Sequence, residues 1–261
     1  MTALWVAWMV GIGCKPPVDK PTEPVTEAAQ VEPAASAAAE GSSEAAQATG
    51  PDAAEPGVVL DGQLLEASWN DGDTFSFYVD DKKMRARLAG YNTLESYGPV
   101  HRWGDWTGQE LYDIAKQGGK IAGAGRWECS DTGDSGGYGR LLVDCPGLRE
   151  HLLREGMAHV FTIGGEPATG DLEAQREAME QGRGMWAKGT PDGLVTSLHS
   201  AAERDDGSAY DRVCSLKTGA CDKVDHGKIY RTCQEVCHEG SCMTYVPYED
   251  RFGDERAECL R

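Results

Sequence analysis

Asn70-Asp71-Gly72-Asp73-Thr74 opens a series of short, chemically loaded pieces. Arg87 comes next, then Asn92-Thr93-Leu94-Glu95, and later Tyr138-Gly139-Arg140. Their surroundings read as strands and turns. Residues 58–68, 75–79 and 84–90 carry strand patterns, and Asp80-Asp81 makes the hairpin turn between the last two. Residues 105–117 have helical spacing through Trp106, Leu111 and Ile114. Residues 126–129 and 140–145 form a further strand pair around a loop rich in Gly and Asp, and 148–155 and 171–181 are charged amphipathic helices. Short strands come first and helices later, which predicts an α+β domain over residues 58–190 with a small closed sheet.

Composition narrows the function classes. The chain has 261 residues with 25 Lys+Arg against 43 Asp+Glu, a formal net charge of −18. No long segment is basic, so coating nucleic acid by counterion release is excluded as a mode of action. The only long apolar run, residues 1–13, is too short to span a bilayer. Nine cysteines are many and odd in number, which predicts an oxidising compartment with one cysteine used differently from the rest.

Taken singly, the quoted pieces are weak signals, since Asp-Gly-Asp is also a good turn and lone arginines are commonly solvated. In this order and spacing they resemble the staphylococcal nuclease-like (thermonuclease) family, whose pattern is Asp-Gly-Asp-Thr, an Arg-Leu strand running into Asp-Thr-Pro-Glu, and then Tyr-Gly-Arg. Gly184-Met185-Trp186 after the last helix also fits, so the resemblance spans about residues 60–188. It implies an OB-type five-stranded β-barrel with packed helices. It further implies Arg87, Glu95 and Arg140 as catalytic residues, Asp73, Asn92 and Thr93 as Ca²⁺ positions, and Tyr138 as a substrate-binding aromatic.

The chemistry of those residue types agrees. Phosphodiester hydrolysis needs charge neutralisation, an activated water and stabilisation of transition-state charge. Asp73 and Asn92-Thr93 offer oxygen ligands to a hard cation such as Ca²⁺. Glu95 suits general-base work, and Arg87 and Arg140 supply forks that grip phosphate oxygens. Four departures from the family stand out. Asn92 replaces a metal aspartate, Leu94 replaces a proline in the turn before Glu95, and the 96–106 loop has Arg102 as its one full positive charge. Thr162 and Gly164 stand where the family has stacking tyrosines. The expected function is an extracytoplasmic Ca²⁺-dependent nuclease acting on DNA and RNA with little sequence preference. The alternative is a catalytically weakened nuclease-fold module that binds nucleic acid or protein.

The flanks complete the organisation. Residues 1–14, an apolar stretch ending in small residues before Cys14, resemble a bacterial lipoprotein signal, with Cys14 as the lipidated residue and a membrane as partner. Residues 15–57, rich in Ala, Glu and Pro and devoid of aromatics, predict a disordered tether. Residues 191–261 carry Cys214, Cys221, Cys233, Cys237, Cys242 and Cys259, which predicts a small disulfide-stapled module. Its pairing stays open among 15 connectivities, and zinc at Cys233, Cys237 and His238 is the competing use. Cys129 and Cys145 then remain, placed to bridge their strand pair. A secreted or cell-envelope location follows from the anchor and the disulfides.

Overall fold

Phe75 and Phe77 are buried while Tyr78 is exposed, so the strand that follows Asp73 turns one face to a core and the other to water. The computed structural model describes residues 55–97 and 100–260, and the same alternation recurs through its first half. Strands β1 (Gly57–Leu60) and β2 (Gln63–Leu65) pair antiparallel, and β3 (Ser68–Trp69) leads into the Asp71-Gly72 corner. Strands β4 (Thr74–Val79) and β5 (Lys82–Leu88) form the next hairpin. Asp80 and Asp81 take φ of 47° and 60° there, the left-handed pair that a tight two-residue hairpin demands. After β6 (Tyr91–Thr93) and β7 (His101–Arg102), helix α1 (Gly108–Ala124) begins.

Two boundaries differ from the sequence reading for local reasons. The expected strand over 58–68 breaks into β1 and β2 because Asp61 and Gly62 turn through positive φ. The helix starts three residues later than its apolar spacing suggests because Thr107 caps it. Thr107 Oγ1 accepts from the Glu110 amide, and the Glu110 carboxylate accepts from the Thr107 amide.

Strands β8 (Arg126–Gly136) and β9 (Arg140–Asp144), helix α2 (Pro146–Arg154), β10 (Ala158–Val160) and α3 (Thr169–Glu180) follow. Seven strands join in the order β2-β1-β8-β9-β5-β4-β3, with β1/β8 and β5/β9 parallel and the other neighbours antiparallel. The sheet curls into a half-barrel over Val58, Phe75, Leu88, Val143, Leu148 and Leu152. The fold is therefore mixed α and β, with three α-helices among the described residues.

The cysteine-rich region adds β11 (Gly193–Ser197), β12 (Ala209–Ser215), β13 (Cys221–His226), β14 (Gln234–His238) and β15 (Ser241–Tyr245). Strands β11-β12-β13 make one sheet, and β14-β15 pair with β7, an element of the preceding region. Leu194 and Leu216 are buried with Leu94, Trp103, Trp106 and Met185. The described residues on both sides of residue 190 accordingly fall in one compact unit. Residues 1–54, and with them Cys14 and nearly all of the proposed tether, lie outside the described residues.

Four disulfides staple the structure: Cys129–Cys145, Cys214–Cys221, Cys233–Cys259 and Cys237–Cys242. The first ties β8 to the end of β9, as the strand pair suggests. The zinc alternative at Cys233, Cys237 and His238 fails. Both sulfurs are in disulfides, and His238 Nε2 lies 2.8 Å from the buried Asp211 carboxylate instead. Four disulfides indicate an oxidising, extracytoplasmic environment. Among the described residues, no helix is long and apolar enough to cross a membrane.

Reduction is expected to destabilise the protein by amounts that follow loop length. Cys233–Cys259 spans 26 positions and Cys237–Cys242 spans 5; chain entropy assigns them ~3.5 and ~2 kcal/mol. Urea unfolding of the Cys233→Ser/Cys259→Ser and Cys237→Ser/Cys242→Ser proteins measures both. Equal losses would show that unfolded-chain entropy does not govern these bridges.

Candidate active site

The Asp71-Gly72-Asp73 corner lies against α1 and β6, and small residues make that approach possible. A Cβ on Gly72 would stand 3.0 Å from the side chains of Leu152 and Thr93, and one on Gly119 of α1 would stand 3.0 Å from the Asn70 carbonyl oxygen. Glycine is thus required by close backbone approach. Lys116 Nζ donates to the Asn70 carbonyl at 2.9 Å, and the Tyr91 hydroxyl donates to the Gly72 carbonyl at 2.7 Å. The corner is thereby held in place from both sides.

Asp73 is buried at the start of β4, and all of its acceptor capacity is used. Its Oδ2 accepts from the Thr93 amide at 2.8 Å and the Thr93 hydroxyl at 2.9 Å. Its Oδ1 accepts from the Thr74 hydroxyl and is ion-paired to Arg87, which projects from β5 opposite Thr74. The same guanidinium donates to Asn92 Oδ1 at 2.5 Å and to the Tyr91 carbonyl at 3.2 Å. Asn92 Nδ2 in turn donates to the Thr93 carbonyl at 2.7 Å. Asp73, Arg87, Asn92 and Thr93 form one closed network linking β4, β5 and β6.

Leu94 is buried in the cluster with Trp103 and Trp106. Packing, rather than a proline ring, fixes the turn that presents Glu95. The Glu95 amide points at His101 Nε2 of β7 at 3.5 Å, and the Tyr97 side chain lies beside the Glu95 carboxylate. Arg140 enters from the far hairpin, where its Nε donates to the Gly137 carbonyl at 2.9 Å. A Cβ on Gly136 of that hairpin would stand 3.3 Å from Arg87 Cβ, so the hairpin passes directly over Arg87. Tyr138 adopts φ of 63° at its tip, 95% exposed, with the Arg140 guanidinium 5.8 Å from its ring.

The electrostatics are those of a pocket short of positive charge. Burial, then the neighbouring Asp73 and Glu95 charges, push the Asp71 carboxyl up to about 8. Burial and Asp73 raise Glu95 to about 7, against the pull of Arg87 and Arg251. Burial acts on Asp73 in the same sense, but the Arg87 charge and the Arg87 and Thr93 hydrogen bonds outweigh it. Asp73 therefore stays below the ordinary carboxylate range. Asp73, Asn92 and Thr93 are oxygen-bearing side chains of the kind hard cations take, and here those oxygens are satisfied by Arg87, Thr74 and one another. Asp73 Oδ1 and Asn92 Oδ1 are both engaged by Arg87, so a cation there competes with that guanidinium. Elsewhere among the described residues, ligand atoms of Glu235, Cys237 and Cys242 cluster. Both of those sulfurs are oxidised to a disulfide.

The structure therefore gathers Asp73, Arg87, Asn92, Thr93, Glu95 and Arg140 at one place, with Tyr138 on the exposed rim. Arg102, the cation of the 96–106 loop, faces elsewhere. It forms a two-pronged pair with Glu235 at 2.6 and 2.5 Å. Thr162 is occupied too, its backbone exchanging hydrogen bonds with Gly219 and Cys221 of the cysteine-rich region. Three residues enter the site that the sequence reading did not select: Asp71, Tyr97 and Arg251. Asp71 belongs to the quoted motif, and its neighbour two places on was the visible signal. No local pattern marks Arg251. The protein-family models include no match to this chain, and no curated protein matches it.

Proposed function

We propose that the protein is a phosphodiesterase of the staphylococcal nuclease-like type, its curled sheet being that family's OB-type barrel. The observation that carries this reading is the convergence of Arg87, Glu95 and Arg140 from three separate stretches around the Asp73–Asn92–Thr93 network. Glu95, raised to about 7, is suited to take a proton from the attacking water near neutral pH. Arg140 is partly buried beside Arg87, and two guanidiniums so placed suit the phosphate oxygens and the charge that grows on them. Ca²⁺ held by Asp73, Asn92 and Thr93 would displace the Arg87 guanidinium from Asp73 and Asn92, and when bound it supplies further positive charge at the phosphate. In this reading Cys14 carries a lipid and residues 15–57 tether the enzyme to a membrane surface.

Arg87 bridges Asp73 and Asn92, which favours a second reading, a weakened site that binds nucleic acid without cutting it. Digestion of single-stranded DNA and RNA with Ca²⁺ or a chelator, in wild type and Glu95→Ala, separates the two. Cleavage dependent on both Ca²⁺ and Glu95 supports the enzyme. Its absence overturns the enzyme reading.

Asn92→Asp is expected to lower the Ca²⁺ concentration for half-maximal cleavage about tenfold. A second carboxylate adds a full negative charge where an amide dipole now stands, on the ~1–3 kcal/mol scale of a neighbouring charge. A Ca²⁺ titration of both proteins measures it. An unchanged midpoint would remove position 92 from the ligand set.

A further inference from the structure

Beside Glu95 lies a segment of the cysteine-rich region. Tyr97, whose side chain lies beside the Glu95 carboxylate, stacks its ring on Phe252 with centroids 5.9 Å apart and planes 16° from parallel. Phe252 meets Tyr248 edge-on at 5.4 Å. All three rings face solvent, at 38%, 48% and 69% exposure. Arg251, between the last two in sequence, donates from Nε to the Val246 carbonyl and lies near enough for its charge to act on Glu95. The segment is held in place. The Cys233–Cys259 bridge closes a loop around it, the Ala257 amide donates to the Asp250 carbonyl at 2.8 Å, and Thr232 reaches the Asp250 carboxylate.

A contiguous exposed aromatic patch marks an interaction surface, where scattered single rings do not. Here they line up from a carboxylate suited to water activation outward, flanked by Arg251 and Arg140. Flat rings on one side of a phosphate-handling pocket suit nucleobases, since every base offers a π-face and each stack contributes ~1–3 kcal/mol. The acidic chain makes the stacking term matter more, because Glu249 and Asp250 on the same turn repel a phosphate backbone.

We propose that Tyr97, Phe252 and Tyr248 form a stacking platform for the bases of single-stranded nucleic acid next to the scissile phosphate. Arg251 contacts the adjoining phosphate. The platform rests on the phosphodiesterase reading, and it makes the cysteine-rich region part of the substrate site rather than an appendage.

Fluorescence anisotropy of a labelled oligothymidylate, with chelator present and the full chain, tests it. Phe252→Ala and Tyr248→Ala are each expected to weaken binding about tenfold. Phe252→Tyr retains binding and Phe252→Leu does not, which separates stacking from apolar bulk. Arg251→Gln lowers the salt slope of binding by about 0.7, one phosphate contact on a single strand. With Ca²⁺, the ring variants raise KM more than they lower kcat. Unchanged affinity in both ring variants, in a protein that still cleaves through Glu95, overturns the platform and leaves the enzyme reading standing. A wild type that cleaves nothing but binds through the rings overturns the enzyme reading alone. A wild type that neither binds nor cleaves overturns both.

Discussion

If the protein is the phosphodiesterase proposed, Glu95→Gln and Arg140→Ala are each expected to lower phosphodiester hydrolysis by a factor of ~10² or more, the usual effect of removing a general base or a transition-state charge partner. The pH profile adds a signature that a merely structural role would not produce. On that reading Glu95 must be ionised to accept a proton, so kcat/KM of the wild type is expected to rise with pH as Glu95, raised to about 7, loses its proton. That limb disappears in Glu95→Gln. Arg87→Ala loses activity to a similar degree but behaves differently in stability. Its partner Asp73 is buried, and removing one member of a buried pair leaves an uncompensated charge at a cost of about 3–5 kcal/mol. Urea unfolding of the three variants, run beside the assay, is therefore expected to show Arg87→Ala destabilised and the other two not. Full activity in all three would end the nuclease reading.

Asp71→Asn stabilises the protein at alkaline pH. The folded-state pKa of Asp71 is raised to about 8, so folding favours the protonated carboxyl. The stability this group contributes is complete below its ordinary pKa of ~3.9 and is lost as pH rises through about 8. An asparagine amide never ionises and can still accept the hydrogen bond that the Asp73 amide gives Asp71 Oδ1. With chelator present, the variant should exceed wild type by ~2–5 kcal/mol at pH 9, and the gap should close by pH 4. Added Ca²⁺ should narrow the gap at pH 9 if Asp71 is a ligand. A gap independent of pH would mean that Asp71 is ionised throughout and that its burial is balanced by other groups.

Much of the site could be read from residues in sequence order. Asp71-Gly72-Asp73-Thr74, Arg87, Asn92-Thr93 and Glu95 lie on consecutive elements, so strand period and hairpin chemistry already bring them near one another. Arg140 was reachable through its Tyr-Gly-Arg turn. Two features became visible only with packing. Leu94, in the turn before Glu95, is a buried anchor. Arg102, the one full positive charge of its loop, is paired with Glu235. In both cases the partners come from residues remote in sequence, and no periodicity encodes them.

The β4–β5 hairpin, the three helices, the Asp80-Asp81 turn and the Cys129–Cys145 bridge were legible in the chain. Each depends on side chains within about one supersecondary unit, where backbone sterics and local hydrogen bonds dominate. Three features required the tertiary structure. They are the pairing of the six late cysteines, the addition of β14 and β15 to β7, and the apposition of Tyr97 with Phe252. Arg102 and Glu235 are 133 positions apart. Such contacts form only when burial of residues like Trp103, Leu194 and Leu216 offsets the entropy of closing the long loops between them. That balance is struck by the whole core at once, so it leaves no mark in any single stretch of sequence.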